Sequence, residues 1–275
     1  MRRLFLIFSL CVLFIGANAQ KKMFYTKVKL IGESNLICYY NYVHSEREVL
    51  DSVQTVLQIG DEVQRFSSFV YYRRDSLGYI LKNEYQEKDV LDRESRKINN
   101  LPEAKKDMSW VLYTNYPEGK QSITDRVFTD RFISEEDITV PDWTLEDEHK
   151  VISGYECNKA TTHLHGRNWT VWYTPKIERP DGPWLLKGLP GLVVFAEDDS
   201  GGYKFTLQKI EHRKTPILFN IKDYFKSKRV DVLKNRKKYY DDMAQYVKNT
   251  EIGKQTSDLP QTPRRPFYPL RKISK

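Results

Sequence analysis

The stretch "LVVFAEDDSGGYKFTLQKI", residues 192–210, decides the fold class. In its second half Tyr203, Phe205 and Leu207 alternate with Lys204, Thr206 and Gln208. That period of two puts the large apolar side chains on one face of a strand and the polar ones on the other. The "DSGG" between the halves has turn chemistry, so the whole reads as an antiparallel hairpin with one buried and one wet face.

Working outward, the same texture recurs. "RNWTVWYT" (167–174) places Trp169, Val171 and Tyr173 on one face and Thr170, Trp172 and Thr174 on the other, joined across "HGRN" to "HKVISGYECNKATTHL" (149–164). "MFYTKVKLI" (23–31) and "LICYYNYV" (36–43), separated by "GESN", read as a hairpin, with "QTVLQIG" (54–60) as a third strand. Further strand character lies in "SWVLYTNY" (109–116) and, after the turn "PEG", in "KQSITDRVFTDRFISEE" (120–136). The charged stretch 75–107 reads as a short helix or long loop outside the sheet, and 224–249, free of Gly and Pro, as at least one helix. The expected class is mostly β: a single antiparallel curved sheet or a sandwich-like domain, with minor helices and a C-terminal helix plus tail.

Arg2 and Arg3 precede an apolar run from Leu4 to Ile15 that ends in Ala17-Asn18-Ala19, so residues 1–19 read as a secretory signal peptide cut before Gln20. The run is shorter than the roughly 20 residues a transmembrane helix needs. Residues 20–228 are then a mostly-β domain, and 229–275 a basic helical and Pro-rich extension. The extension carries twelve Lys/Arg against five Asp/Glu, while the overall net charge is +8. Basic character therefore sits in the tail, which suits an anionic surface; export argues against nucleic acid. Cys38 and Cys157 remain after cleavage, and in an exported protein they form one disulfide or stand as two buried thiols.

"GPWLLKGLPGL" (182–192) contains two Gly/Pro pairs. Pro190-Gly191 carries the type II signature, φ locked at one central position and free to be positive at the next, so Gly188, Leu189, Pro190 and Gly191 read as a stiff corner before a strand. It lacks the Gly-x-x-x-x-Gly-Lys-Ser/Thr pattern of a phosphate loop. Around it Trp169, Trp172, Tyr173 and Trp184 are dense enough to line a groove for an amphipathic ligand or an envelope partner, with Arg167 at its turn. The competing reading makes these rings ordinary core.

Other constellations are thin. His163 and His165, two apart, would share a strand face and start a metal site, but no third ligand is paired with them. Glu135/Glu136, the Asp142 to Glu148 group and Asp198/Asp199 are sequence neighbours, whereas opposed catalytic carboxylates stand across a substrate. No Gly-x-Ser-x-Gly elbow or His-Glu-x-x-His helix occurs, and no cofactor is implied.

One ordered series of motifs is more specific. "LQIGDEVQRFSSF" (57–69), "YTNYPEGK" (113–120), Glu135-Glu136 with Trp143, "GYECNKA" (154–160), "GRNWTVWYT" (166–174), "GPW" (182–184) and "GLPGLV" (188–193) together resemble the GLPGLI family of exported proteins of Gram-negative cell envelopes. The resemblance runs to about Glu211, with Val193 in place of isoleucine and His165 where arginine is common. It implies an envelope protein without an assigned reaction. The expectation is a non-enzymatic binding or accessory module, the alternative a hydrolase of envelope peptide or glycan.

Overall fold

The computed structural model describes residues 27–45, 50–83, 88–105, 108–250, 267 and 269–273. The expected signal segment lies outside the described residues. These form strands β1 (Val28–His44), β2 (Asp51–Gly60), β3 (Gln64–Ser68), β4 (Val111–Thr114), β5 (Lys120–Val127), β6 (Asp130–Asp137), β7 (Thr144–Ile152), β8 (Tyr155–Leu164), β9 (Arg167–Thr174), β10 (Leu192–Asp198), β11 (Tyr203–Asn220) and β12 (Phe225–Lys226). Helices are α1 (Phe69–Asn83), α2 (Lys88–Asn99), α3 (Arg229–Asp241) and α4 (Met243–Lys248). The strands make one sheet in the order β12-β6-β5-β4-β3-β2-β1-β11-β10-β9-β8-β7. Neighbours are antiparallel except for the short parallel pair β12–β6. No described helix is long and apolar enough to cross a membrane.

The hairpin expected at "GESN" does not form. β1 runs straight through it, paired to β11 from Val28↔Asn220 to His44↔Tyr203, with register shifts between Leu30 and Gly32 and between Ser34 and Leu36. Turn-type residues are accommodated because bulges absorb them and because Ser34 Oγ bonds Thr215 Oγ1 at 2.6 Å across the ladder. The pairing partner, remote in sequence, overrides local turn composition. Conversely, the runs 120–136 and 149–164 each contain a hairpin turn, with Phe128 at φ 53° in the first and Ser153-Gly154 at φ 50° and 81° in the second.

Alternation sorts β1 cleanly. Cys38, Tyr40 and Tyr42 enter the main core, while Ile37 and Tyr39 face Val56, Phe69 and Tyr72 under α1. The main core lies inside a strong curl of the sheet. Arg271 reaches both Glu136 of β6 and His165 in the β8–β9 turn, at 2.7–2.8 Å. Those strands lie eight or more places apart in the order, about 40 Å in a flat sheet at ~4.8 Å per strand. Only a sheet curled on itself lets one side chain bridge them.

"GPWLLKGLPGL" fills that curl. Trp184, Leu185, Leu186 and Leu189 are all buried in the main cluster with Trp169, Val171, Phe205 and Leu270. At roughly 1.5–3 kcal/mol for each fully buried large apolar side chain, this plug is a major part of the core's stability. Its backbone is tightly constrained: a Cβ on Gly182 would sit 2.1 Å from Leu186 O, and one on Gly191 2.2 Å from Thr174 O. The expected type II turn is corrected. Gly191 has φ 152°, and its N–H bonds Leu189 O at 2.8 Å across Pro190, a three-residue γ-type closure, while Leu192 N–H goes to Ile177 O. Close approach to Thr174 and the positive φ of 152° together require glycine there.

Candidate functional site

The aromatic corner is packed, not open. Trp169, Tyr173 and Trp184 are buried, with Trp169 and Trp184 ring centroids 5.7 Å apart. Trp172 alone of the four is half-buried, on the opposite sheet face, under Lys150. Arg167, expected at the turn beside that groove, is 5 % exposed. Its guanidinium bonds Asp198 at 2.7 Å, donates to Leu270 O and Pro269 O, and lies 4.1 Å over the Tyr203 ring. Residues 269–273 of the Pro-rich basic extension therefore seal this corner, with Leu270 in the core and Lys272 N–H bonded to His165 O, while 251–266 lie outside the described residues. What remains beneath it is a void of about 20 Å³ lined by Trp110, Trp184, Phe267 and Leu270, room for one water at most. Arg271, one of the basic tail residues expected to touch anionic surfaces, is committed to Glu136.

The remaining candidates separate. His163 bonds Asn168 at 2.7 Å on the exposed side, whereas His165 lies past the end of β8 at φ 49°, so strand alternation no longer puts it on the same face. Burial and the Arg271 charge hold the His165 imidazole down at about 4. Among the described residues no three His, Cys, Asp or Glu side chains cluster as metal ligands. Cys38 and Cys157 are unbonded and buried on strands four places apart, and burial raises both thiols, Cys157 to about 11. The disulfide alternative is thereby corrected to two inert thiols. Of the acid pairs, Glu136 holds Arg271 and Glu135 holds Lys226, while Asp198 is spent on Arg167, Ser200 Oγ and Tyr203 N–H.

A different place gathers chemistry. A cavity of about 190 Å³ is lined by Tyr71, Arg74 and Asp75 of α1, by Ser109 and β4, by Thr124, Asp125 and Arg126 of β5, by Arg131, and by Asn220, Lys222 and Tyr224 where the chain leaves β11. Ser68 starts α1 by accepting Tyr71 N–H at 3.3 Å, and helical spacing then puts Tyr71, Arg74 and Asp75 on one face. Asp125 is set by β5 alternation between inward Ile123 and Val127. From α3, Arg229 and Arg236, two turns apart, reach it: Arg229 bonds Oδ2 at 2.7 Å, and Arg236 bonds Oδ1, which also accepts from Ser109 Oγ.

The two buried carboxyl groups are shifted in opposite directions. Burial pushes Asp75 up to about 6, against the Arg65 guanidinium at 2.5 Å and the amide of Asn220 at 3.2 Å. Burial acts on Asp125 too, but Arg236 and Arg229 together outweigh it and keep it below the usual carboxylate range. Behind both acids the walls are cationic. Arg65, Arg229 and Arg236 neutralise the acids, and Arg74, Arg126, Arg131 and Lys222 add four more positive charges at the rim. No ion pair joins Arg126, Arg131 or Lys222 to a carboxylate among the described residues.

No family model matches the chain, and no curated protein matches its sequence. Among solved structures it is similar to PNGF-II in a C2 crystal form, at 15 % identity and a TM-score of 0.45 over 73 % of this chain and 32 % of that one. A P21 form of the same protein gives 13 % and 0.44 over 74 % and 32 %. An outer membrane lipoprotein-sorting protein domain from Vibrio parahaemolyticus follows at 6 % and 0.22, over 66 % of this chain and 86 % of that one. The chain thus spans about a third of the length of the PNGF-II chains it matches.

Sequence reading missed Asp75, Asp125, Asn220 and Arg65. A usable signal was present at two of them. Asp125 falls on the inward register of "SITDRV", and Asp75 follows Tyr72 one turn along the buried side of α1. An acid at a core position is bought only with partners, so each announces a polar network even though its partners are unreadable.

Proposed function

We propose that this chain is an exported, non-enzymatic binding protein of the cell envelope, of the GLPGLI type, that takes an anionic group into the cavity between Asp75 and Asp125. The observation that carries the reading is the convergence of Arg126, Arg131 and Lys222, without counter-ions among the described residues, on one preformed polar cavity. Cations held close together beside low-dielectric walls raise the local concentration of anions and favour a bound acid over a hydrated one. The packed corner at Trp184 removes the amphipathic groove as the ligand site, so an envelope ligand is recognised by charge. Titration calorimetry with sulfate and with acetate at low ionic strength tests this. One saturable site that weakens with added sodium chloride and is lost in the Arg131→Glu/Lys222→Glu double variant supports the reading. Unaltered binding in that variant refutes it.

A second reading, hydrolysis of an envelope peptide or glycan, draws on the opposite shifts of Asp75 and Asp125 in one cavity, a pattern seen in acid/base pairs. Asp125 is fully engaged by Arg229, Arg236, Ser109 and the Arg126 N–H, which leaves Asp75 to carry proton transfer alone. Turnover of peptidoglycan fragments by the wild type that disappears in Asp75→Asn favours this reading over the first.

A further inference from the structure

We infer that the cavity takes an acidic sugar residue, a hydroxylated ring carrying one carboxylate or phosphate; this rests on the anion-binding reading above and narrows it. The cations of the rim account for the acid group. They do not account for the acceptors in the wall. Asn220 turns its amide nitrogen to Asp75 Oδ1, which fixes its carbonyl oxygen Oδ1 away from that acid, and this oxygen is buried without a donor. Each oxygen of Asp75 accepts one bond, from Asn220 and from Arg65, and a carboxylate oxygen accommodates two. A buried acceptor left without a donor keeps its desolvation cost, so a ligand that brings hydroxyl donors gains what a bare anion cannot.

Size and shape agree. A cavity of about 190 Å³ lies below the roughly 300–1,000 Å³ of drug-sized sites and suits one ring rather than an extended chain. Tyr71 and Tyr224 contribute aromatic walls, and aromatic rings combine apolar area, onto which the C–H face of a sugar can pack, with a hydroxyl handle. Tyr71 lines the cavity together with Arg74, Asp75, Asp125 and Arg126, so ring, acid and cation groups share one wall.

Calorimetry on the full-length mature protein, with D-glucuronate, glucose 6-phosphate, glucose, acetate, sulfate and tetrahydropyran-2-carboxylate as probes, tests the inference without any variant. Binding of glucuronate or glucose 6-phosphate at least tenfold tighter than of the hydroxyl-free ring acid, sulfate, acetate or neutral glucose supports it, and the tighter of the two sugars identifies the acid. Equal affinity for tetrahydropyran-2-carboxylate and glucuronate overturns the inference and leaves the anion reading standing. Glucose binding as tightly as glucuronate, or no probe binding at all, overturns both.

Discussion

Arg65 and Asp75 meet at 2.5 Å with 1 % of each side chain exposed, and that pair joins the sheet to the helix that walls the cavity. Arg65 also reaches Gln58, which bonds Thr215 and Pro216, so β2, β3, α1 and β11 share one polar network. Arg65→Met strips the acid of its cation and leaves Gln58 short of a partner; a loss of about 3–5 kcal/mol in urea unfolding is expected. Asp75→Asn imitates the protonated acid and costs less. Equal losses in both would contradict this.

The pH dependence follows from the raised Asp75 value of about 6. The folded state binds the Asp75 proton more tightly than the unfolded chain, so this group's contribution is complete below about pH 4 and is lost as pH rises to about 6. The stability difference between wild type and Asp75→Asn is therefore largest near pH 4 and shrinks toward pH 7. Denaturant titrations of both proteins across that range measure it, and a difference that grows with pH contradicts the assignment.

At the C-terminal strap the sign is opposite. Burial alone would raise Glu136, but its two bonds from Arg271 outweigh burial and lower it, so the strap's stabilisation is present above the ordinary glutamate range and lost as pH falls through the folded value. Protection of the Lys272 amide, its exchange rate relative to the intrinsic rate at each pH, should fall on acidification in wild type and be low at every pH in Arg271→Gln. Leu270→Ala, which empties a core position, is expected to cost about 2–5 kcal/mol.

The plug gives a contrast between glycines. Gly191→Ala places a Cβ 2.2 Å from Thr174 O and should unfold or severely destabilise the protein. Gly154→Ala, with φ 81° but nothing within 4 Å, should cost only about 1 kcal/mol of backbone strain. Both have positive φ, so thermal unfolding of the two variants shows how much crowding adds to the cost of backbone conformation.

Two buried thiols, not a disulfide, are expected by thiol titration. Native protein should react with neither Cys38 nor Cys157 at pH 8, since burial raises both, and unreduced protein in denaturant should release two. No free thiol in unreduced, denatured protein would restore the bridge.

The strands were legible wherever alternation was local. β9 and β10 were read to the residue, because "RNWTVWYT" and "LVVFAED" carry their pattern within eight residues. β1 was not, because its continuity depends on β11, about 180 residues away at Ser34–Thr215, and no window shows that pairing. The same separation hid the site. Asp125 meets Arg229 and Arg236 only because α3 returns onto β5, and Asn220 meets Asp75 across 145 residues. The tryptophans were correctly seen as crowded, yet whether a crowd of rings is open or packed depends on what covers it, and here Leu185, Leu186 and Leu270 do.

The central claim, that the cavity of Asp75 and Asp125 is an anion site, is tested most directly by anomalous diffraction from crystals soaked in selenate, an oxyanion with a strong anomalous signal. The account predicts a selenium peak within bonding reach of Arg126, Arg131 and Lys222 that is absent from crystals of Arg131→Glu/Lys222→Glu. Selenate bound only elsewhere on the protein, with this cavity empty at saturating concentration, would contradict it.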